Sequence, residues 1–239
     1  MTPTTQTVRE IALEHPSSMR VFEQFGIDYC CGGRKPLAEA CIAGNLEIDA
    51  VIAALETAAK TPNLETEDWV DKSLKSLSEH IVTNHHAYVK RELPRLAILA
   101  EKVVNRHGAT RTELPAIAGK VAQLDEELTQ HLAKEEAVLF PYIADLERAV
   151  AIGAAKPRSC FGTIANPIAM MTQEHDAAGT LLAEIRRLSH NFTTPEDACP
   201  TFHAFYDGLK EFEQDLHEHI HLENNILFPR AIEMEQSAS

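Results

Sequence analysis

The stretch that decides the fold reads His219-Ile-His-Leu-Glu223-Asn-Asn-Ile-Leu-Phe-Pro229, near the end of a chain of 239 residues. It repeats His131-Leu-Ala-Lys-Glu135-Glu-Ala-Val-Leu-Phe-Pro141, which lies 88 positions upstream, and five of the eleven positions are identical. Each copy carries a histidine and a glutamate four residues apart, a spacing that places both side chains on one face of a helix. The repeat therefore predicts two related helices with matching polar pairs.

A single further histidine precedes each copy at nearly the same distance. His86 lies 45 residues before His131, and His175 lies 44 residues before His219. All of these polar residues replace an apolar residue within a stripe of helical period. The second helix shows the pattern, with the stripe Leu124, Leu128, His131, Glu135, Val138 and Tyr142. Burying such groups without partners costs several kcal/mol for each one, so the pattern predicts that something binds them in the core.

Two metal ions held between four helices would remove that cost. Imidazole and carboxylate together suit Zn, Fe or Mn, and the lack of nearby thiolates argues against an iron–sulfur cluster or Cu(I). A structural zinc takes only four ligands, which is too few for this set. Two histidines for each metal, with both glutamates bridging, is the economical arrangement. The predicted ligands are His86, His131, Glu135, His175, His219 and Glu223.

The residues alone leave alternatives open. Each histidine–glutamate pair has a metal-free interpretation as a hydrogen-bonded core pair. His85, beside His86, projects about 100° away from it and is expected to lie off the apolar stripe. Several acids near the histidines are either acceptors for imidazole N–H groups or ordinary solvated surface. These acids are Glu127, Glu174, Asp176 and Asp215.

The apolar periodicity is interrupted between residues 60 and 68, which predicts two domains, at 1–62 and 68–235. The first shows short helical patterns over 8–14, 17–25 and 46–59, and Ser17 is placed to cap the second of them. The other domain contains four long helical patterns, at 69–105, 116–148, 165–190 and 196–234. Strand-like alternation is missing, so the sequence predicts an all-α protein in which a small helical domain precedes a four-helix bundle.

Composition excludes several classes of function. The formal net charge of −14 argues against nucleic acid or an anionic membrane as a partner, because both require clustered Lys and Arg. No apolar run approaches the length of a membrane span, and residues 1–14 do not resemble a signal peptide. We therefore expect a cytoplasmic location. Five cysteines, an odd number, do not form a disulfide framework and are expected to be free thiols.

The adjacent cysteines Cys30 and Cys31 form a second motif, within the glycine-rich segment 26–33. Adjacent cysteines close only a strained ring, so a static disulfide is not expected. The glycines predict an exposed turn in which the two residues act as redox thiols, exchange thiols, bind metal or become nitrosated. Inert thiols are the alternative.

Taken together, these motifs resemble the iron–sulfur cluster repair proteins, the "repair of iron centres" family. The resemblance rests on Asp28-Tyr-Cys-Cys-Gly-Gly33, His80-Ile-Val-Thr-Asn-His-His86, His131-x3-Glu135-Glu136, Glu174-His175-Asp176 and His219-x3-Glu223. It implies a hemerythrin-like four-helix bundle with an oxo- or hydroxo-bridged pair of non-haem irons. The six predicted ligands would hold those irons, and Cys30 with Cys31 would be the thiol motif.

The resemblance also implies a function. The protein would repair iron–sulfur clusters damaged by nitrosative or oxidative stress, through iron donation or nitric oxide chemistry at the di-iron centre. Iron–sulfur proteins would be its clients, and nitric oxide or oxygen would be its small ligand. The sequence does not decide the quaternary state, and a homodimer is one of the alternatives. The alternative is a hemerythrin-like protein that binds, reduces or senses nitric oxide or oxygen, with nitric oxide reductase as the enzymatic activity.

Overall fold

The computed structural model describes residues 5–60 and 69–238, and within these ranges the chain is helical. The only β-type pairing among them is an isolated bridge between Thr7 and Pro36. The predicted all-α class is thereby confirmed. The interruption at 61–68, on which the predicted domain division rests, lies outside the described residues.

Four short helices form the N-terminal part: α1 Val8–Glu14, α2 Ser18–Phe25, α3 Leu37–Ala43 and α4 Ile48–Lys60. Thr7 begins α1 with a capping box, since its side chain accepts from the Glu10 N–H while the Glu10 carboxylate accepts from the Thr7 N–H. Ser17 occupies the cap position of α2, but its side chain makes no capping bond, so that prediction is wrong. Helix α3, a seven-residue helix that follows the glycine-rich turn, is not among the predicted patterns.

The rest of the chain forms four long antiparallel rods. The first, second and fourth each consist of two α-helices joined by a short π-helical segment. The first joins α5 Leu74–Ile81 to α6 Ala87–His107 through Val82–His86, and the second joins α7 Glu113–Lys134 to α8 Phe140–Ala151 through Glu135–Leu139. The third rod is α9 Ala165–Leu188, and the fourth joins α10 Pro200–His221 to α11 Phe228–Ser237 through Leu222–Leu227.

Proline explains the second and third π-helical segments. Pro141 and Pro229 each follow a phenylalanine just after the segment, and proline has no N–H with which to continue the regular ladder. The N–H of Phe140 instead donates to the carbonyl of Glu135, five residues back, and Phe228 donates likewise to Glu223. Such wide turns are frequent at functional sites, and here the carbonyl that accepts each of these two hydrogen bonds belongs to a predicted glutamate.

One sequence prediction fails because of these turns. Val138 was assigned to the core stripe of the second rod, but 44% of it is exposed, and Leu139 is buried instead. A wide turn contains an extra residue, so the helical period counted from Glu135 is displaced by one position.

The apolar core forms two clusters that lie on either side of the polar residues of the bundle. One cluster contains Leu77, Ile143, Ile168 and Leu227, and the other contains Leu96, Leu124, Leu182 and Phe212. The second cluster continues without interruption into the N-terminal helices, through Phe22, Tyr29 and Leu37. The small domain and the bundle therefore share one core.

Polar contacts fix the small domain on the fourth rod. Asn225 donates to the carbonyl of Tyr29 over 3.0 Å, and His217 is 2.8 Å from the carboxylate of Glu23. The ring of Tyr29 packs against His221, with 5.5 Å between ring centroids. His217 and His221 thus serve this interface rather than the predicted metal site.

Within 5–60 and 69–238, none of the helices combines the length and apolar character that crossing a lipid bilayer requires.

Candidate metal centre

The structure brings all six predicted ligands together in the middle of the bundle, and each is 2% exposed or less. They form two groups of four that have both glutamates in common. One group consists of His86, Glu135, His219 and Glu223; the other consists of His131, Glu135, His175 and Glu223. Within each group one ligand atom of every residue lies within 4.8 Å of the others. This is the arrangement of two neighbouring cation sites with two shared carboxylates.

Each glutamate lies between histidines of different groups. Glu135 Oε2 is 3.4 Å from both His86 Nε2 and His131 Nε2. Glu223 Oε2 is 3.0 Å from His175 Nε2, and Glu223 Oε1 is 3.0 Å from His219 Nε2. The wide turns that contain the two glutamates place both carboxylates at the centre of the four histidines.

Several buried polar atoms of this cluster have no hydrogen-bond partner, although buried polar groups in proteins almost always have one. They include His86 Nε2, both carboxylate oxygens of Glu135, and Glu223 Oε2. In addition, the Nε2 atoms of His131 and His175 face each other over 3.0 Å. Lone pairs of nitrogen and oxygen that converge in a closed space are what a divalent cation needs, so the residues fit a pair of metal ions.

The protein alone distributes protons unevenly over the cluster. Burial opposes protonation of His86, but the carboxylates of Glu135 and Glu223 outweigh it and raise the pKa of His86 to about 10. The pKa of His175 likewise rises to about 9, against burial, because Glu223 is beside it. Burial and the charge of Glu223 raise the pKa of Glu135 to about 8, whereas burial with the nearby His175 lowers that of His131 to about 4. In the metal-free protein, protons on His86, His175 and Glu135 thus offset the negative charge of the buried carboxylates.

The outer ring nitrogens of His86, His131 and His175 each donate to an acceptor that orients the ring. His86 Nδ1 donates to Glu136 over 2.8 Å, and His175 Nδ1 donates to Asn224 Oδ1 over 2.9 Å. Glu136 and Asn224 occupy the same position of the internal repeat, directly after the shared glutamates. A proton on Nδ1 leaves the Nε2 lone pair free to face the centre, which is the tautomer that a metal requires.

Of the four acids left open by the sequence, two accept from histidines. Glu174 Oε2 accepts from His131 Nδ1 over 2.9 Å, and Asp215 Oδ1 accepts from His85 Nδ1 over 3.1 Å. Glu127 is bonded by Gln123 on the surface, and Asp176 is exposed. Sequence reasoning missed the roles of Glu136 and Asn224, although their equivalent places in the repeat were a usable signal.

Aromatic rings cover the same two histidines. Phe140 stacks on His86 with 5.6 Å between centroids, and Phe228 stacks on His175 with 6.0 Å between centroids. The sequence predicts His85 off the apolar stripe, but the structure buries it, with only 5% of the residue exposed. It does not belong to either group of four, but its ring stacks on that of His219 at 5.6 Å.

Cys30 and Cys31 lie outside the six-residue cluster but adjoin it. The prediction of an exposed turn is wrong for Cys30, which is 5% exposed, and Cys31 is half-buried. The turn packs against the bundle because apolar residues of both parts share one core. The Asn224 side chain connects the two places: Nδ2 donates to the Cys30 carbonyl over 3.4 Å, while Oδ1 accepts from His175.

Comparison with known proteins matches both parts of the chain. Residues 77–231 match the Hemerythrin HHE cation binding domain, and residues 4–59 match a domain of unknown function, DUF542. Two curated relatives are iron-sulfur cluster repair protein YtfE of Yersinia pseudotuberculosis serotype IB (strain PB1/+) and of Yersinia pestis (strain Pestoides F). Each is 39% identical over 227 residues, which cover 95% of this chain and 96% of the relative.

Proposed function

The chain belongs to the family of iron–sulfur cluster repair proteins with a hemerythrin-like domain, and from this we propose that it repairs damaged iron–sulfur clusters with two bound iron ions. The ligands would be His86, His131, Glu135, His175, His219 and Glu223. Clients would be iron–sulfur proteins.

One observation carries the proposal: two groups of four ligands share both of their carboxylates. A pair of irons in such a site supplies redox chemistry and positions for a small ligand such as nitric oxide or oxygen. The protein's part is to hold the four Nε2 atoms and the carboxylates in place. Apolar clusters on both sides keep bulk water away, and the stacked Phe140 and Phe228 restrict the rotation of His86 and His175.

Repair by iron donation and removal of nitric oxide use the same ligands and are separated by experiment. The iron-loaded chain is mixed anaerobically with an iron–sulfur protein whose cluster has been destroyed by nitric oxide. Recovery of the cluster, with iron from the chain traced as the ⁵⁷Fe isotope, is the expected result. Production of nitrous oxide by the reduced chain without iron transfer would favour the nitric oxide reductase alternative. A chain that shows neither cluster recovery nor nitrous oxide production would contradict the proposed function.

We expect Asn224→Ala to weaken metal binding about 10- to 100-fold, because a metal-bound histidine loses the acceptor that fixes its ring and tautomer. The measurement is competition with a coloured chelator. Asn224→Asp keeps the acceptor for His175 and should restore the affinity. Asn105→Ala removes the same type of side chain at an exposed position of α6 and is the matched control. Equal affinities for Asn224→Ala and this control would show that Asn224 does not position the ligand.

Metal uptake by the metal-free protein should release about three protons at pH 7, since the pKa values of His86, His175 and Glu135 are about 10, 9 and 8. These three groups are protonated at pH 7 and must be deprotonated to act as ligands. Affinity should therefore rise with pH. At pH 9 the release should fall to about half, because Glu135 and part of His175 have already lost their protons. Titration with Zn²⁺ in a pH-stat measures both values, in a protein with Cys30→Ser and Cys31→Ser so that no thiol proton is counted. Release of fewer than about one proton at pH 7 would contradict the assignment.

A further inference from the structure

The turn that contains the two cysteines has a geometry of its own. Asp28, Cys30 and Cys31 each offer one ligand atom, and these atoms lie within 4.8 Å of one another. We propose that this turn is a second metal site, in which Cys30, Cys31 and Asp28 bind one thiophilic divalent cation. Nothing in the six-residue centre requires it, because the two places share no ligand.

Interatomic distances support the site. Cys30 Sγ and Cys31 Sγ are 3.7 Å apart, and Cys30 Sγ is 3.4 Å from Asp28 Oδ1. For a tetrahedral ion with metal–sulfur bonds of about 2.3 Å, neighbouring sulfurs are about 3.8 Å apart. With a metal–oxygen bond of about 2.1 Å, the sulfur–oxygen distance is about 3.6 Å. Both distances from Cys30 Sγ thus nearly match the spacing that such an ion imposes, and Cys31 Sγ lies within 4.8 Å of the carboxylate.

Backbone hydrogen bonds hold Asp28 in place. Its Oδ1 accepts from the N–H groups of Cys30 and Cys31, at 3.0 and 2.9 Å, and its Oδ2 accepts from the Gly32 N–H at 2.8 Å. A Cβ atom on Gly32 would lie 2.8 Å from Asp28 Oδ2, and one on Gly33 would lie 2.6 Å from the Tyr29 carbonyl. Glycine is therefore required at Gly33, where the clash is with the backbone, while a side chain at Gly32 would displace the Asp28 carboxylate. The two cysteine sulfurs lie 3.7 Å apart, on the same side of the turn.

The electrostatics favour a cation over a free thiolate. Its hydrogen bond with Cys31, its burial and the charge of Asp28 raise the pKa of Cys30 well above its usual range. The negative surroundings that disfavour an isolated thiolate favour a positive ion between the sulfurs and the carboxylate. A cation that binds here takes the place of the thiol protons.

The site opens on a cavity between the turn and the bundle. This cavity measures about 170 Å³ and is lined by both cysteines together with Arg34, Asp176 and Asn224, among others. A fourth ligand, Asp176 or water, has room there. In the complex, both cysteines are thiolates, their protons having passed to solvent, and Asp28 is a carboxylate. With M²⁺ the net charge is −1, and the guanidinium of Arg34 lies on the same cavity.

Thiolates favour soft and borderline ions such as Zn²⁺, Co²⁺ and Fe²⁺. The identity of the ion rests on the repair function proposed above. In that function the ion would be Fe²⁺, which enters or leaves the protein beside His175. The existence of the site does not depend on that function.

Cobalt tests the site in the full-length protein. Co²⁺ bound to thiolates gives a strong near-ultraviolet charge-transfer band, which histidine and carboxylate ligands do not give. Metal-free protein is expected to develop this band and to saturate it at one thiolate-bound Co²⁺ for each chain. The double variant Cys30→Ser, Cys31→Ser should lose the band, while the control Cys160→Ser, Cys199→Ser should keep it. Asp28→Asn should weaken binding at least tenfold.

Several results would overturn the proposal. One is the absence of the band in the wild-type protein at excess Co²⁺. This holds also if its thiols oxidise readily, since oxidation without cobalt binding does not support a metal site. Another is a band that persists in the double variant. If the double variant does not fold, Cys31→Ser alters only a half-buried side chain and should reduce the band intensity by about half. Glu223→Ala should leave the band intact, so failure of the di-iron proposal and failure of this one give different results.

Discussion

Replacing Glu223 by alanine should empty both halves of the metal centre. This residue belongs to both groups of four, so a single substitution removes a ligand from each metal. Loss of an outer acceptor alone costs about 10- to 100-fold in affinity, and loss of a direct ligand from two sites should cost more. A metal at a thousand times its Kd contributes about 4 kcal/mol to stability. For a chain of this size, that corresponds to a Tm about 8–16 °C lower than that of the loaded wild type.

The measurement is iron content by elemental analysis together with thermal unfolding, with and without metal. Glu127→Ala is the matched control, because it also removes an acid on a bundle helix, but one that is bonded only by Gln123. The control should retain its metal and its Tm. A Glu223→Ala protein that still binds two irons would remove this residue from the ligand set.

Tyr29→Ala should have the largest effect on stability outside the centre. The side chain is 2% exposed and packs on Phe22, His217 and His221 across the boundary between the small domain and the bundle. Truncating a buried aromatic residue costs about 3–5 kcal/mol. The Tm of the whole chain should therefore fall by about 6–20 °C. Because both parts share one core, we expect a single unfolding transition rather than two.

Calorimetry tests this expectation, with Ile42→Ala as the control. Ile42 is an apolar residue of the same small domain but is 79% exposed, and its truncation should change stability by less than about 0.5 kcal/mol. If Tyr29→Ala instead produces a separate low-temperature transition while the bundle unfolds as before, the small domain is an independent unit.

The sequence was sufficient for the helical class and for the placement of the six central residues. Both follow from local periodicity. His86 and Glu135 replace apolar residues within a stripe of helical period, and this pattern can be recognised without three-dimensional information. What it could not show depends on contacts between distant segments. Cys30 is buried because the bundle covers a turn that, taken alone, has the composition of a surface loop. His85 is buried beside Asp215, 130 residues away in sequence, which accepts a hydrogen bond from its ring.

The error at Val138 had a local cause that periodicity does not detect. A regular 3.6-residue period was extended through Glu135, although the following Phe140-Pro141 pair favours a wide turn. Pro141 has no N–H, so the carbonyls of the turn before it lack their regular donor. The wide turn that results places Leu139 rather than Val138 in the core.

The two hydrogen bonds of the Asn224 side chain make the thiol turn and the central histidines thermodynamically linked. One amide group accepts from His175 and donates to the Cys30 carbonyl, so a shift of the turn changes the free energy of the histidine's metal-binding orientation. Linkage of this kind is reciprocal: if occupancy of one place changes affinity at the other by some factor, the reverse effect has the same factor. A binding curve measured at the histidines therefore also reports on the state of the turn.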